Sequence, residues 1–258
     1  MTTRTLAVLA VCGLLAGSVH AGRPLAIDDA DPAEPGQVEF EAGAGYVKEG
    51  DVKHWDAPFG LTYGVCPRVE AGLGFGGQFE ERTEILDAAG AGDQVSENGI
   101  GDLVIGAKWQ FIESCPLGAR HAVVPSVKFP TADEDKGMGS GETDVDLTWI
   151  ASRALGGKAG LHLNLGYSWI GGTDEDVLHY GIALDYQVLD VIQTVGEVFA
   201  ERETSSGADT VAQFNLGLRY CPADSLTLDL AAGSRLGGEG PDFTATAGLT
   251  WAFLNLNR

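Results

Sequence analysis

The stretch VEFEAGAGYV, from Val38 to Val47, alternates apolar residues with acids and glycines at a period of two. Its apolar residues share one face, while Glu39 and Glu41 share the other face with two glycines. A period of two is the pattern of a β-strand, in which successive side chains point to opposite faces. The same letters fit a soluble sheet, whose acids face water, and a membrane barrel, whose acids face the lumen. The rest of the chain has to decide between these two folds.

The same alternation recurs in about twelve segments of roughly ten residues each, separated by turn residues, and helical periodicity is almost absent. The last of these segments, from Phe243 to Phe253, alternates almost without error. The ninth segment fits less well, because Val195 and Phe199 share a face with Glu197. We predict a strand there nonetheless.

The connections between the segments alternate in length. Long, acidic connections cover residues 48–56, 80–98, 131–143, 171–177, 203–210 and 236–242, and short ones cover 66–68, 113–119, 154–158, 188–191 and 221–225. Short turns at one rim and long loops at the other, with an even number of strands, are typical of bacterial outer-membrane barrels. This arrangement puts both ends of the mature chain, and its three cysteines, at the periplasmic rim.

The face opposite the apolar one mixes glycines with charges of both signs, as a barrel lumen does. The charged residues that we take as lumen candidates are Glu39, Glu41, Asp102, Lys108, Lys128, Asp146, Asp185, Glu197 and Arg219. The apolar faces carry no formal charge over about ten strands, and aromatic residues lie near strand ends, where membrane girdles sit. A slip of one residue would push several charges into lipid, at up to roughly 2–4 kcal/mol each at mid-membrane.

These patterns predict an all-β fold, a transmembrane antiparallel β-barrel of about twelve strands. The barrel covers residues 38–254 and leaves a short tail, residues 255–258. A secreted, soluble β-sandwich is the alternative, but its loops would not show this rhythm of long and short connections.

Residues 1–21 predict a secretory signal peptide. One arginine precedes an apolar run, and small residues follow it, with Val19 and Ala21 at the positions that signal peptidase reads. After Ala21, no apolar run approaches the roughly 20 residues that a spanning helix needs. We therefore expect the mature chain in the outer membrane of a Gram-negative bacterium.

Composition and cysteine spacing exclude several kinds of partner. The net charge of −21 argues against nucleic acid, which requires a basic patch. Cys66, Cys115 and Cys221 do not have the paired spacing of a zinc site, and we expect neither a metal nor a cofactor. Because Cys66 and Cys115 lie in consecutive periplasmic turns, they are the predicted disulfide, with Cys221 as a free thiol.

The segment 22–37, ahead of the first strand, is acidic and rich in proline. It is either a disordered leader or a plug that folds into the lumen, with Asp28 and Asp29 against Lys108, Lys128 or Arg219. A barrel of twelve strands leaves room for a narrow path or a small plug, since about eight strands fill with side chains and about sixteen hold water. Arg23, Asp28 and Asp29 are our candidates for functional positions in this segment.

Two motifs resemble a known family. Residues 23–43, RPLAIDDADPAEPGQVEFEAG, and residues 124–147, VPSVKFPTADEDKGMGSGETDVDL, resemble the outer-membrane "transporter" barrels grouped as the putative MetA-pathway of phenol degradation. Members similarly open with Arg-Pro-Leu and Asp-Asp-Ala, and carry Lys-x-Pro-Thr before a glycine-rich loop. One departure is that the chain ends in Arg258, where such barrels usually end in an aromatic residue.

The resemblance implies a barrel that moves small, hydrophobic or aromatic compounds. The sequence is thus interpreted as a narrow channel or facilitator, expected to be a monomer in contact with outer-membrane lipid and lipopolysaccharide. A non-transporting structural or adhesive barrel is the alternative. An enzyme is not expected, because Ser168 and His162 both face inward on one strand, away from an outer-surface catalytic site.

Overall fold

The computed structural model describes residues 22–85 and 92–255, so the predicted signal peptide and residues 256–258 of the predicted tail lie outside the described residues. The strands are β1 (Gln37–Glu49), β2 (Val52–Cys66), β3 (Val69–Ile85), β4 (Gly92–Ile100), β5 (Leu103–Ile112), β6 (Arg120–Phe129), β7 (Asp144–Leu155), β8 (Ala159–Trp169), β9 (Val177–Leu189), β10 (Ile192–Glu203), β11 (Thr210–Ala223), β12 (Leu226–Gly237) and β13 (Phe243–Asn255). One short 3-10 helix covers Glu134–Lys136. Within the described ranges, no helix is long and apolar enough to cross a membrane.

The strands close into one antiparallel barrel. Neighbours along the chain pair with each other, and β1 pairs with β13, which joins the two ends of the sheet. β3 pairs with β5 over residues 69–74 and with β4 over residues 77–85. Only Gly101 and Asp102 separate β4 from β5, so β4 and β5 together form a single strand of the wall. The prediction of a barrel of about twelve strands is therefore confirmed.

The alternation in sequence becomes an alternation between outside and lumen. On β5, Ile105 and Trp109 are 45% and 53% exposed on the outer surface, whereas Lys108 is 3% exposed inside. The same rule places Glu41 of β1 in the lumen, where it accepts a hydrogen bond from Thr250 of β13. The apolar exterior and the closed sheet exclude the soluble β-sandwich.

The strand that fits the pattern poorly, β10, is explained by what lies inside the barrel. Val195 and Phe199 do face inward beside Glu197, and both are buried. They pack against Leu25 and Ile27 of the segment that precedes β1. Apolar residues thus face the lumen because another part of the chain covers them there.

The first two connections at the long-loop end are shorter than the sequence predicted, whereas those between β6 and β7 and between β8 and β9 are close to the predicted length. The ladder between β1 and β2 continues to Glu49 and Val52, so only Gly50 and Asp51 form the turn instead of residues 48–56. Gly50 has a positive φ of 56°, which glycine adopts without the strain of a side chain. In the next hairpin, β3 similarly continues to residue 85 and β4 begins at residue 92, although the sequence predicted a connection over residues 80–98.

We expect the mature chain in detergent to migrate faster on gels before boiling than after, because a closed barrel has no free edge at which unfolding can begin. A chain truncated before Phe243 is the control, since it lacks β13 and cannot close against β1. It should migrate equally with and without boiling. Identical mobility of the complete chain under both conditions would contradict closure.

Candidate functional site

Residues 22–36 lie inside the lumen and form what we call the collar. In the order of the strands around the barrel, the collar contacts Asp229 of β12, Arg219 of β11, Glu197 of β10, Asn164 of β8, Ser152 of β7, Gln110 of β5, Glu70 of β3 and Gly64 of β2. The segment therefore follows the inner wall through almost a full circuit. It lies at the short-turn end, since Gly64, Glu70 and Gln110 are close to that end of their strands.

The middle of the collar is held by its backbone. The Glu197 carboxylate accepts the N–H of Ala26 at 2.9 Å and that of Ile27 at 2.8 Å. Asn164 accepts the N–H of Asp28 at 2.7 Å and donates to its carbonyl at 3.0 Å. Each buried backbone N–H or C=O group without such a partner would destabilise the fold by about as much as a lost hydrogen bond. Side chains of the wall thus replace the neighbouring strand that the collar lacks.

The second half of the collar is held in the same way. Ser152 accepts the N–H of Ala30 at 2.9 Å, and Gln110 donates to the Ala30 carbonyl at 2.9 Å. Glu70 accepts the N–H of Ala33. Ala30 is fully buried in a second apolar cluster whose other members come from β6 and β7. This packing leaves no room for a larger side chain at Ala30.

Arg23 anchors the start of the collar. Its guanidinium makes two hydrogen bonds of 3.2 Å to Asp229, one to each oxygen, and a third of 3.2 Å to Thr246. Paired contacts of this kind are stronger and more directional than a single hydrogen bond. The guanidinium occupies the space that side chains at Gly43 and Gly248 would take. A side chain at either glycine would therefore displace the guanidinium from this position.

A buried group of three charges holds the collar between β3 and β5. The Lys108 ammonium lies 2.9 Å from Asp28 and 3.5 Å from Glu70, and all three side chains are almost completely buried. Of the partners that the sequence offered for Asp28, the structure selects Lys108. The neighbouring Asp29 instead accepts the N–H of Asp31 and turns the backbone.

A row of hydrogen bonds along the wall joins the two halves of the collar. It runs through Ser152, His162, Asp185, Gln193 and Arg219 in that order. Arg219 then donates to the carbonyl oxygens of Gly22 and Arg23. Because Ser152 holds Ala30 at the other end, this row fixes the distance between the two halves.

Part of this row has the order of a nucleophilic triad. The Ser152 Oγ is 2.9 Å from His162 Nδ1, and His162 Nε2 is 2.6 Å from Asp185. In a hydrolase the serine must reach the substrate carbonyl. Here Ser152 is 0% exposed and its Oγ already accepts the N–H of Ala30. The arrangement therefore positions the collar.

Lys128 and Asp102 lie away from the collar, at the long-loop end. Lys128 binds Asp102 at 3.4 Å, Asp144 at 2.5 Å and Ser140 at 2.7 Å. Asp102 also accepts the N–H of Thr131, so this cluster folds loop 130–143 over the break between β4 and β5. Among the described residues, no group of three or more His, Cys, Asp or Glu side chains could hold a metal ion.

The remaining lumen candidates have local partners. Asp146 accepts hydrogen bonds from Thr148 and Ser168 and lies 2.7 Å from His179 Nε2. Glu39 accepts a hydrogen bond of 2.9 Å from Gln37. Neither residue contacts the collar through these bonds.

Sequence reasoning missed three residues that hold the collar: Ser152, Asn164 and Gln110. All three occupy inward positions in the period-two pattern. An uncharged polar residue facing inward beside charged ones was the signal that could have identified them. What they bind could not be read from the pattern.

The three mature cysteines are free thiols in the part of the chain that the structure describes, so the predicted Cys66–Cys115 bridge does not form there. The contact between the two turns is made by Arg68 and Glu113, at 3.5 Å, instead of by the cysteines. A hydrogen bond with His121 lowers the pKa of the Cys115 thiol to about 7.

The chain matches the family described as "Putative MetA-pathway of phenol degradation" over residues 21–253. The chain belongs to this family. The resemblance carried by the two sequence motifs is confirmed. No curated protein matches the chain.

The barrel of this family member is similar to several solved structures. It is similar to an outer membrane channel from Pseudomonas putida F1, with a TM-score of 0.65, 17% identity, and coverage of 87% of this chain and 98% of that chain. It is also similar to the transport unit of the autotransporter AIDA-I from Escherichia coli, with a TM-score of 0.58, 11% identity, and coverage of 96% of this chain and 98% of that chain. For the CymD monoaromatic hydrocarbon channel, the TM-score is 0.50, the identity is 10%, and the coverage is 86% of this chain and 89% of that chain. At these identities the similarity concerns the fold alone.

In this member of the phenol-degradation family, the two motifs supply residues that hold the collar and the 130–143 loop in place. The Arg-Pro-Leu motif contributes Arg23, which binds Asp229, and Leu25, which packs in the apolar cluster on β10. The Lys-x-Pro-Thr motif contributes Lys128 and Thr131, which together hold the loop at the opposite end. Each motif thus belongs to one end of the barrel.

Replacing Lys108 with methionine should destabilise the collar. The substitution leaves Asp28 and Glu70 buried without that cation, and breaking a buried ion pair costs about 3–5 kcal/mol. Lys53→Met is the matched control, because Lys53 pairs with Glu81 at 3.3 Å on the surface, where a pair contributes about 1 kcal/mol or less. The measurement is the shift in unfolding midpoint in detergent.

A thiol reporter tests whether the collar itself is released. In a chain with Cys66, Cys115 and Cys221 changed to serine, Ile27→Cys places a thiol at a buried position of the collar without adding volume there. Maleimide should label it slowly, and much faster when Lys108→Met is added. Equal labelling with Lys108→Met and with the control substitution would show that this cation does not hold the collar.

Proposed function

We propose that the protein is an outer-membrane channel or facilitator that admits small, hydrophobic or aromatic compounds through a narrowed lumen. The observation that carries this proposal is the cavity of about 190 Å³ that remains between the collar and Pro241 at the long-loop end. A dry cavity of about 150 Å³ is enough to hold benzene, so the space suits a compound of one ring. The CymD channel, which has a similar fold, is described as a monoaromatic hydrocarbon channel.

The proposed location is the outer membrane, with the collar at the periplasmic mouth. In support, large apolar side chains such as Leu165, Leu184 and Leu230 are about half exposed on the outer surface. This is the band that lipid covers in such barrels. Because β1 and β13 close the sheet within one chain, no edge requires a partner, and we expect a monomer surrounded by lipid and lipopolysaccharide.

The function that we propose is transport without catalysis. The Ser152–His162–Asp185 row is engaged in holding the collar, and the burial of Ser152 keeps it from a substrate. A structural or adhesive barrel would not require a lumen that is both narrowed by its own N-terminal segment and left with a cavity. These two features together favour passage.

Fractionation tests the location. We expect the protein to sediment with outer membranes, with Gly22 as the first residue of the mature chain. The reason is that the apolar outer band would be unstable in water. Recovery of the chain as a soluble periplasmic protein would refute the proposal.

Planar-bilayer recordings test the channel and the role of the collar. The mature chain should conduct with a preference for cations, because the acids that face the lumen outnumber the bases in a space whose low-dielectric wall focuses the field. Deleting residues 23–36 should raise the conductance severalfold, since the collar fills the narrow end. Arg23→Ala combined with Lys108→Met should act in the same direction while leaving the chain complete.

Three outcomes of these recordings count against parts of the proposal. Anion preference of the complete chain would refute the electrostatic argument. Unchanged conductance in both variants would show that the collar is not the constriction. A silent bilayer with the complete chain and with both variants would refute the channel itself.

A further inference from the structure

The first residue of the collar, Gly22, is fixed inside the lumen. Its carbonyl oxygen accepts a hydrogen bond from the Arg219 guanidinium and another, of 3.3 Å, from the N–H of Leu25. Arg219 also donates at 2.6 Å to the carbonyl of the next residue, Arg23, whose own side chain is bound to Asp229. A chain that begins at Gly22 therefore carries its α-amino group within the barrel, close to the inner wall.

A small cavity lies beside Gly22. Its volume is about 10 Å³, which is roughly the space that one water-sized group requires. Leu25 and Ile27 contribute apolar surface to it, and the ionisable residues that line it are Asp29, His162, Asp185 and Arg219. Because an ammonium group has about the size of a water molecule, the cavity can hold the ammonium group of Gly22.

Asp29 reaches this cavity without a cation of its own. One of its carboxylate oxygens accepts the N–H of Asp31 at 2.8 Å. Asp29 forms no ion pair with any residue that the structure describes, and Lys108 lies against Asp28 and Glu70 instead. A carboxylate has two oxygens and about four sites for donors. Asp29 can therefore accept a further, charged donor.

Two more acids approach the same point. Oδ1 of Asp28 lies 3.8 Å from the position that a side-chain carbon on Gly22 would take. Asp185, which lines the cavity, lies 2.6 Å from His162 Nε2 and accepts a hydrogen bond of 2.8 Å from Gln193. Both carboxylates therefore add to the negative field at the Gly22 nitrogen.

The acids around Gly22 outnumber the bases. Arg219 donates to Gln193 and to two backbone carbonyls, which are all neutral acceptors. Apart from the matched pair of Arg23 with Asp229, the ionisable groups that the described collar and strands direct to this part of the lumen are Asp28, Asp29, Glu70, Lys108, His162, Asp185, Glu197 and Arg219. Five carboxylates thus face two permanent cations and one histidine, so a further cation is favoured here.

We propose that the α-ammonium group of Gly22, created when the predicted signal peptide is removed, occupies this cavity and locks the collar in the lumen. Hydrolysis of the peptide bond between Ala21 and Gly22 consumes one water, leaves Ala21 as a carboxylate and releases Gly22 as an ammonium ion. The ammonium donates to Asp29 and Asp185, and its charge offsets part of the excess of acid. The position of the cleavage matters, because one additional residue moves the ammonium group out of the cavity.

The locking contact depends on pH. The α-amino group of an unfolded chain loses its proton near about pH 8, and neighbouring carboxylates favour its charged form. The folded chain therefore keeps this proton to a higher pH than the unfolded chain does. The contribution to stability is present at pH 7 and is lost as the pH rises above the folded-state pKa of the amine. A contact that depended on shape alone would persist at high pH.

Maleimide labelling of the collar tests the contact at pH 7, with the Ile27→Cys reporter in the chain that lacks the three mature cysteines. Three forms are compared: a chain that begins with Gly22, the same chain acetylated at its α-amine before refolding, and a chain with one additional alanine before Gly22. The acetylated and extended chains should label about tenfold faster than the chain with free Gly22, because a hydrogen bond to a charged group contributes roughly that factor. Heat-modifiable mobility shows that each barrel has closed.

Asp29→Asn identifies the partner of the ammonium group. In the chain that begins with Gly22, this substitution should speed labelling by a similar factor. Acetylation should then have little further effect, because both changes remove the same contact. Asp174→Asn is the matched control, since it removes the same charge from an exposed position of the 171–177 loop. It should leave both the labelling rate and the effect of acetylation unchanged.

Unfolding midpoints in detergent test the role of the charge. At pH 7, the chain with free Gly22 should be more stable than the acetylated chain. At about pH 10.5, where an α-amine is neutral, the two midpoints should coincide. Lysines and tyrosines that titrate in this range are common to both chains, so the difference between the chains isolates the amine.

Four outcomes would overturn the inference. They are equal labelling of the free and acetylated chains, a difference in midpoint that is unchanged at high pH, full additivity of acetylation with Asp29→Asn, and a mature chain from outer membranes whose first residue is not Gly22. None of them bears on the proposed channel, which is scored separately by conductance of the complete chain in bilayers. A silent bilayer would refute the channel and leave the locking contact standing.

Discussion

The hydrogen bonds between the Glu197 carboxylate and the N–H groups of Ala26 and Ile27 represent the constraint on which this structure depends. A stretch of irregular backbone cannot remain inside a barrel unless its polar groups find partners there. The wall satisfies the collar with side chains from one strand after another, from Asp229 round to Glu70. The polar face of the barrel is therefore organised around the segment that it encloses.

The collar also divides the lumen chemically. At the short-turn end its cations and acids are matched, as Arg23 with Asp229 and Lys108 with Asp28. At the level of the cavity, the lining combines Glu41 and Asp56 with apolar side chains such as Leu25 and Phe199. The narrow end is thus held by paired charges, while the space above it is lined by acidic and apolar side chains together.

The sequence predicted the features that depend on local contacts, and it did not explain those that depend on residues distant in the chain. The alternation of β5 or β13 requires only the pleat of a strand, so its faces were correct. The irregularity at Val195 and Phe199 was visible but had no local explanation, because their partners Leu25 and Ile27 are about 170 residues away. Cys66 and Cys115 are not paired, and Arg68 and Glu113 make a contact between those two turns.

The sequence by itself determined that this chain is a barrel with an apolar exterior, since the period of two and the cost of placing charges in lipid leave one register. It also contained the Arg-Pro-Leu and Asp-Asp-Ala residues of the collar, but left open whether that segment is a disordered leader or a plug in the lumen. Only the tertiary structure decided that residues 22–36 line the lumen, that Asp28 meets Lys108 while Lys128 holds the opposite loop, and that Glu41 and Asp56 share a cavity. The physical reason is that closure of the sheet brings strands from the whole chain around one space, and the pairing of inward side chains follows from that closure.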